Sequence, residues 1–303
     1  MISIIFLIIN GMLFGIANLI PGVSGGTIAV ITGCYERLLD SINNLFKKFK
    51  ESISFLGIFI LGALIAVLIF SKILSYSTDN FKIPTYCLFV GLILGGIPAI
   101  VKPVYKKCSI KNIIFLILGF SLVIGLLFIP SGNTSSNLEI KDYIMLFICG
   151  ILASIAMVVP GISGMMMLEI FGYRELFIDS LKNLTDFSLF LDNFKVLCPV
   201  GIGIIIGLFS AAKLMGFLLK RYNVTTFYAI IGFVLASIVV LFINMSDGDK
   251  YISHIIVGII MIPIGFTLSF MLDYLSKKYN KEKIIQNDLI EDTPIINNGD
   301  NND

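Results

Sequence analysis

Ser24 and Ser163 stand 139 residues apart, each inside the same phrase: Pro21-Gly22-Val23-Ser24-Gly25 and Pro160-Gly161-Ile162-Ser163-Gly164. Proline ends a helix and brings no N–H to leave unpaired. Glycine permits positive φ and lets other atoms approach the backbone. Serine is a favoured N-cap. The phrase therefore predicts a helix that stops and a second that starts, with free N–H groups and a positive dipole end presented to an anion. Phosphate suits such a site. In the first copy Gly26 and Thr27 follow, and Thr27 adds a hydroxyl. In the second, Met165-Met166-Met167 follow Gly164, apolar and adaptable. The residues expected to line the site are Pro21, Gly22, Ser24, Gly25, Gly26 and Thr27 from one copy. Pro160, Gly161, Ser163 and Gly164 come from the other. The bland alternative is that Pro-Gly only kinks two helices and each serine bonds its own backbone.

Few charges lie near these phrases. Lys72 and Lys213 match at an offset of 141, toward the ends of apolar runs. Each is expected to attract a lipid phosphate from its own leaflet; snorkelling to the headgroups is the alternative. Glu169 interrupts the apolar stretch after the second phrase and is a candidate for proton or cation coupling. Glu36 and Glu175 close the two stretches and are further coupling candidates, with ion pairs to Arg37 and Arg174 as the structural alternative. His254 is the only histidine, so neither Ser-His catalysis nor a histidine metal site has support. The five cysteines, Cys34, Cys87, Cys108, Cys149 and Cys198, show neither metal spacing nor a disulfide pattern. No metal and no cofactor are expected, with H+ and Na+ both open as coupling ions.

Broken helices matter because of where they sit. Hydrophobic residues make up 57% of 303 positions and charged residues 14%, a polytopic membrane composition. A net charge of +2 gives no reason to expect nucleic acid. In lipid a Pro-Gly break frees backbone groups that hydrocarbon cannot satisfy. Two such breaks at corresponding places in two halves point to a transporter binding site. The stretch 1–35 carries no charge; as one helix it would run roughly 50 Å, against a bilayer core of about 30 Å. Two arms meeting at Pro-Gly, entering and leaving on one side, fit better. The N-terminus lacks a basic n-region and is expected to be mature structure.

The halves match beyond the phrase. Gly11 aligns with Gly150, Ala17 with Ala156, Gly33 with Gly172, and Gly119 with Gly258, all at 139; Gly62 meets Gly203 and Gly91 meets Gly232 at 141. Basic loops at 36–51, 102–111, 220–221 and 277–278 are placed on the cytoplasmic side. With those inside, each half is a returning hairpin plus three crossings, and an odd count inverts the second half. The expected fold is all-α integral membrane with two inverted repeats, each a re-entrant hairpin plus three spans. Repeat 1 is 1–135, with a hairpin at 1–38 and spans at 53–76, 83–101 and 112–130. Repeat 2 is 140–276, with a hairpin at 142–177 and spans at 195–219, 225–244 and 251–275. Residues 277–303 read as a disordered cytoplasmic tail.

The pieces Gly11-x3-Gly15-x-Ala17-Asn18-x2-Pro21-Gly22-Val23-Ser24-Gly25-Gly26-Thr27, Gly33-x-Tyr35-Glu36 and Met157-Val158-Val159-Pro160-Gly161-Ile162-Ser163-Gly164 resemble a bacterial membrane family linked to polyprenyl-phosphate transport. The likeness covers essentially residues 1–275. It implies a multi-pass protein of the bacterial cytoplasmic membrane, and the basic loops put both termini on the cytoplasmic side. It further implies translocation of undecaprenyl phosphate, the carrier lipid for wall polymers, back to the cytoplasmic leaflet. Met165 stands where the first copy has Gly26, so equal contact by both loops stays open. A carrier of a small anion or other solute is the alternative. A polyprenyl-pyrophosphate phosphatase fits less well. Such enzymes follow Pro-Gly-x-Ser with Arg-Ser, whereas Gly25 and Gly26 stand here and no acidic residue precedes Glu36. Phosphoryl transfer without a cation clamp or an acid or base is hard to support.

Overall fold

Long apolar runs have one option in lipid, which is to close their backbone hydrogen bonds within helices. The computed structural model describes residues 2–19, 24–129, 138–183, 189–246 and 251–291, and among these it is helical without a strand. The α-helices are α1 (Ile2–Leu19), α2 (Gly25–Ile31), α3 (Tyr35–Asn43), α4 (Phe49–Asn80), α5 (Lys82–Val101) and α6 (Ile110–Leu126). They continue with α7 (Ile140–Val158), α8 (Gly164–Ile170), α9 (Arg174–Lys182), α10 (Phe190–Arg221), α11 (Asn223–Met245) and α12 (Ile252–Glu291). Six of them, α4, α5, α7, α10, α11 and α12, are long and apolar enough to cross a bilayer, and α1 and α6 are shorter apolar helices. The chain is a multi-pass membrane protein.

Three features differ from the sequence expectation. The second arms are short: α2 and α8 have seven residues each, about 10 Å of helix. Gly33 and Gly172, at φ 71° and 81°, end them, and only glycine takes that conformation freely. By contrast α7, with 19 residues, is long enough to cross alone. The expected tail starts late, since α12 runs on to Glu291 through Lys277. Lys, Glu, Gln and Ile in that stretch are fair helix formers and carry the helix beyond the apolar part. Residues 292–303 lie outside the described part.

Small residues set the packing. A Cβ built on Gly11 would lie 2.1 Å from Phe59 O, and one on Gly62 2.4 Å from Ile8 O, so α1 and α4 touch backbone to backbone. The same lattice joins α7 and α10, where Gly150 would meet Val200 O at 2.3 Å and Gly203 would meet Phe147 O at 2.2 Å. Two further seams cross between the halves. Gly91 and Gly95 of α5 abut Ile262 and Phe266 of α12, while Gly232 of α11 abuts Leu116 of α6. Close approach of this kind is how membrane helices gain contact without a hydrophobic driving force. Contacts advance in the same sense along α5 and α12, and along α7 and α10, where Gly150 meets Val200 and Gly207 meets Ser154. Each pair is therefore parallel.

These seams also correct one match. Gly119 abuts Ala229 O and Gly265 abuts Leu88 O, so Gly119 corresponds to Gly265, 146 residues on, and not to Gly258. Gly258 faces Cys87 and Ile83. The offset rises from 141 at Gly91 and Gly232, and the extra residues lengthen α11 and α12 at the ends that face each other. The central core, with Ile28, Tyr35, Ile93, Ala212 and Ile230 buried, lies where α2, α5, α10 and α11 converge.

Candidate functional site at the two helix breaks

In the first copy Ser24 is the N-cap of α2, with extended backbone (φ −106°, ψ 131°), and its carbonyl accepts from the N–H groups of Thr27 and Ile28. Its side chain makes no capping bond. Ser24 Oγ is 1% exposed and Thr27 Oγ1 fully buried, and neither has a hydrogen-bond partner. The bland expectation, that Ser24 bonds its own backbone, is therefore not met. Gly25 fits against Asn18 Nδ2 and Phe14, where a Cβ would come within 2.2 Å of that nitrogen. Pro21 and Gly22 lie outside the described residues.

The second copy folds in the same order. Val159 leaves helical geometry at ψ 118°, Pro160 turns the chain, and Gly161 takes φ 91°. A Cβ on Gly161 would lie 2.5 Å from Phe233 O of α11, so this turn is pressed against that helix. Ser163 caps α8 without a side-chain bond and is half-buried. Gly164 sits against Ala153 and Met157, the residues 139 beyond Phe14 and Asn18. Tyr173, the N-cap of α9, donates to Asp142 Oδ1 at 2.9 Å, which brings the start of α9 back to the start of α7.

The two copies meet. Gly26 lies against the carbonyls of Met157 and Val158, the last residues of α7. Tyr35, at the start of α3, donates its hydroxyl to Val158 O at 2.7 Å. The terminal carbonyls of a helix lack intrahelical partners, and this bond satisfies one of them. With only seven residues, α2 and α8 have little macrodipole to offer. In the first copy the groups left for an anion are the first-turn N–H groups and the two buried hydroxyls.

The charged candidates stand apart from this junction. Lys213 is exposed on α10, beside the Ala212 carbonyl that accepts from Asn43 Nδ2 of α3 at 2.9 Å. Lys72 falls in α4 at a matching place, and its side chain lies outside the described part. Both lysines lie in the C-terminal part of helices of 32 residues, and Lys72 falls just past the apolar span Phe49–Phe70. Glu169, Glu36 and Glu175 are all exposed. No ion pair joins Glu36 to Arg37 or Glu175 to Arg174 among the described residues; Arg37 lies over the Phe55 ring at 4.6 Å instead. Nor does any group of three His, Cys, Asp or Glu among the described residues have the placement to hold a metal.

Sequence reasoning gave no site role to four polar residues. Tyr35 ties the two copies, Asn18 lies on Gly25, and Asn10 Oδ1 and Ser269 Oγ are buried without partners. Asn10 and Asn18 were findable as amides within an uncharged apolar stretch, where each polar group has a desolvation cost to answer for.

Comparison with known proteins follows the same lines. The polyprenyl-phosphate transporter of Staphylococcus aureus (strain NCTC 8325 / PS 47) is 32% identical over 272 residues, 88% of this chain and 94% of that protein. The polyprenyl-phosphate transporter of Vibrio cholerae serotype O1 (strain ATCC 39315 / El Tor Inaba N16961) is 29% identical over 244 residues, 76% of this chain and 75% of its own. No solved structure matches the chain. Residues 14–255 match the family described as undecaprenyl phosphate translocase-like, a segment that includes both Pro-Gly phrases, and the chain belongs to that family.

Proposed function

We propose that this chain is a transporter that moves a polyprenyl phosphate, with undecaprenyl phosphate as the expected lipid, between the leaflets of the bacterial cytoplasmic membrane. The observation that carries this is likeness to a polyprenyl-phosphate transporter along nearly the whole of both chains. The headgroup crosses through the protein while the isoprenoid tail stays in lipid, and no bond is broken. Ser24, Gly25, Gly26 and Thr27 form one side of the headgroup path, with Pro21 and Gly22 before them. Pro160, Gly161, Ser163 and Gly164 form the other. Lys72 and Lys213 collect phosphate at opposite faces, and Glu169, Glu36 and Glu175 are the candidates for ion coupling.

The architecture that serves this is a pair of inverted repeats with re-entrant hairpins, bounded as 1–135 and 140–276. Three observations support it. The α1–α4 and α7–α10 lattices use corresponding residues. Parallel packing of α7 with α10 requires the chain between them to come back to its starting face. Parallel packing of α5 with α12, the second span of one half with the third of the other, follows if the halves are inverted. Both termini then face the cytoplasm. Cysteine labelling tests the hairpin: with exposed Cys108 removed, Ile4→Cys and Asp40→Cys are expected to react with an impermeant maleimide from the same side. Labelling from opposite sides would exclude the first hairpin.

The function itself is tested in proteoliposomes carrying labelled undecaprenyl phosphate. The purified chain is expected to speed its appearance in the opposite leaflet, and Lys213→Met and Lys72→Met to slow it several-fold. Long-chain polyprenyl phosphates should compete and inorganic phosphate should not. Competition by inorganic phosphate alone would instead identify a carrier of small anions.

A further inference from the structure

The C-terminal end of α7 keeps oxygens that no backbone N–H of the described residues reaches. Pro160 has no N–H to give Ala156 O, and among the described residues Met157 O accepts no backbone hydrogen bond. Among the described residues Val158 O accepts from Tyr35 only, which leaves it one lone pair. Both carbonyls face Gly26. The point where a Gly26 Cβ would stand is 2.9 Å from Met157 O, 3.3 Å from Val158 O and 3.3 Å from Ser24 Oγ. Three oxygens from two separate helix breaks therefore gather around Gly26, where any side chain would collide with them. Ser24 Oγ, 1% exposed, has no partner there. Thr27, three residues on and so on the same face, brings a second buried hydroxyl without a partner.

The charge of this cluster has one sign. Carbonyl oxygens at the end of a 19-residue helix carry the negative end of its dipole. A phosphate oxygen is repelled by Met157 O and Val158 O, whereas a cation is attracted. No carboxylate is among these oxygens, so the set is neutral and lacks the charge that divalent ions draw on. Unwound carbonyls and half-helix C-terminal ends are the groups that hold Na+ in membrane carriers. We propose that the junction of α7 and α2 binds a single Na+, with Met157 O, Val158 O and Ser24 Oγ as ligands and Thr27 Oγ1 adjoining them. The site stands on these oxygens alone and does not depend on the headgroup reading. The two are compatible, because a serine hydroxyl gives a lone pair to a cation while donating its hydrogen to a phosphate oxygen.

Thermal melting of the purified full chain in lipid nanodiscs, without polyprenyl lipid, reads this site. Chloride salts of Na+, K+ and N-methylglucamine are compared at constant ionic strength. Na+ is expected to raise the melting temperature saturably and the other two to have no such effect. Ser24→Ala and Thr27→Val should each raise the half-saturating Na+ concentration tenfold or more. Gly26→Ala, which puts a methyl among the three oxygens, should abolish the response, and Ser210→Ala on α10 should leave it unchanged. Equal melting in all three salts overturns the proposal. So does protection by K+ as strong as by Na+, or a Na+ response that Ser24→Ala and Thr27→Val both leave intact. No transport is measured, so this result and that of the lipid assay stand or fall separately.

Discussion

Alanine in place of Gly232 is expected to destabilise the protein by roughly 3 kcal/mol, the upper end of the range for overpacking. The added Cβ would lie 2.1 Å from Leu116 O and 2.9 Å from Phe120 N, both backbone atoms of α6. No rotamer change relieves such a contact, so α6 and α11 have to part. Gly91→Ala should cost about as much, because its Cβ would lie 2.1 Å from Ile262 O of α12. Gly201 gives the matched comparison, since no atom lies within 4 Å of its Cβ position. Gly201→Ala should be neutral or stabilising by up to about 1 kcal/mol through helix propensity. Melting of the detergent-purified variants compares the three. Equal stability of the Gly232 and Gly201 variants would mean that α6 and α11 are not in backbone contact.

The second large effect divides stability from function. Ser24→Ala combined with Thr27→Val should slow lipid translocation at least tenfold while leaving the melting temperature, measured without Na+, unchanged or higher. A buried hydroxyl without a partner costs about 1–3 kcal/mol, so removing two such groups relieves the resting fold. A hydrogen bond to a charged phosphate contributes about 1.5–3 kcal/mol, and losing even one accounts for a tenfold change. Stability held against activity is what a binding site costs its fold. The outcome that would sink this assignment is a variant that melts early and transports at the full rate. Such a pair of results would make Ser24 and Thr27 packing residues.

How much of this was legible beforehand varies with the physics. The long spans were readable because charge-free runs of about 20 residues have one interpretation in lipid. The break at Pro160-Gly161 was readable too, since proline and glycine act locally, whereas the stops at Gly33 and Gly172 fall short of the closures expected at Glu36 and Glu175. The true partner of Gly119 was hidden, because a change of offset between α11 and α12 left Gly258 at the old spacing by coincidence. Contacts between halves were hidden for a different reason. Nothing local in Tyr35 says that its hydroxyl reaches Val158 O, 123 residues away. Exposure also escaped the sequence: Glu169 interrupts an apolar stretch but lies on the open side of α8. The partner-free state of Ser24 and Thr27 needed coordinates, since any serine at an N-cap is expected to bond its own helix.

The crossed seams have a consequence for how the protein is made. Gly91 and Gly95 of α5 are covered by α12, the last of the described helices to leave the ribosome, and Gly119 of α6 by α11. The first half therefore waits in the membrane with these faces of α5 and α6 uncovered until α11 and α12 have been made. A chain stopped before α12 leaves α5 without its mate. Two halves produced as separate polypeptides would each lack something only the other supplies, which gives them reason to assemble.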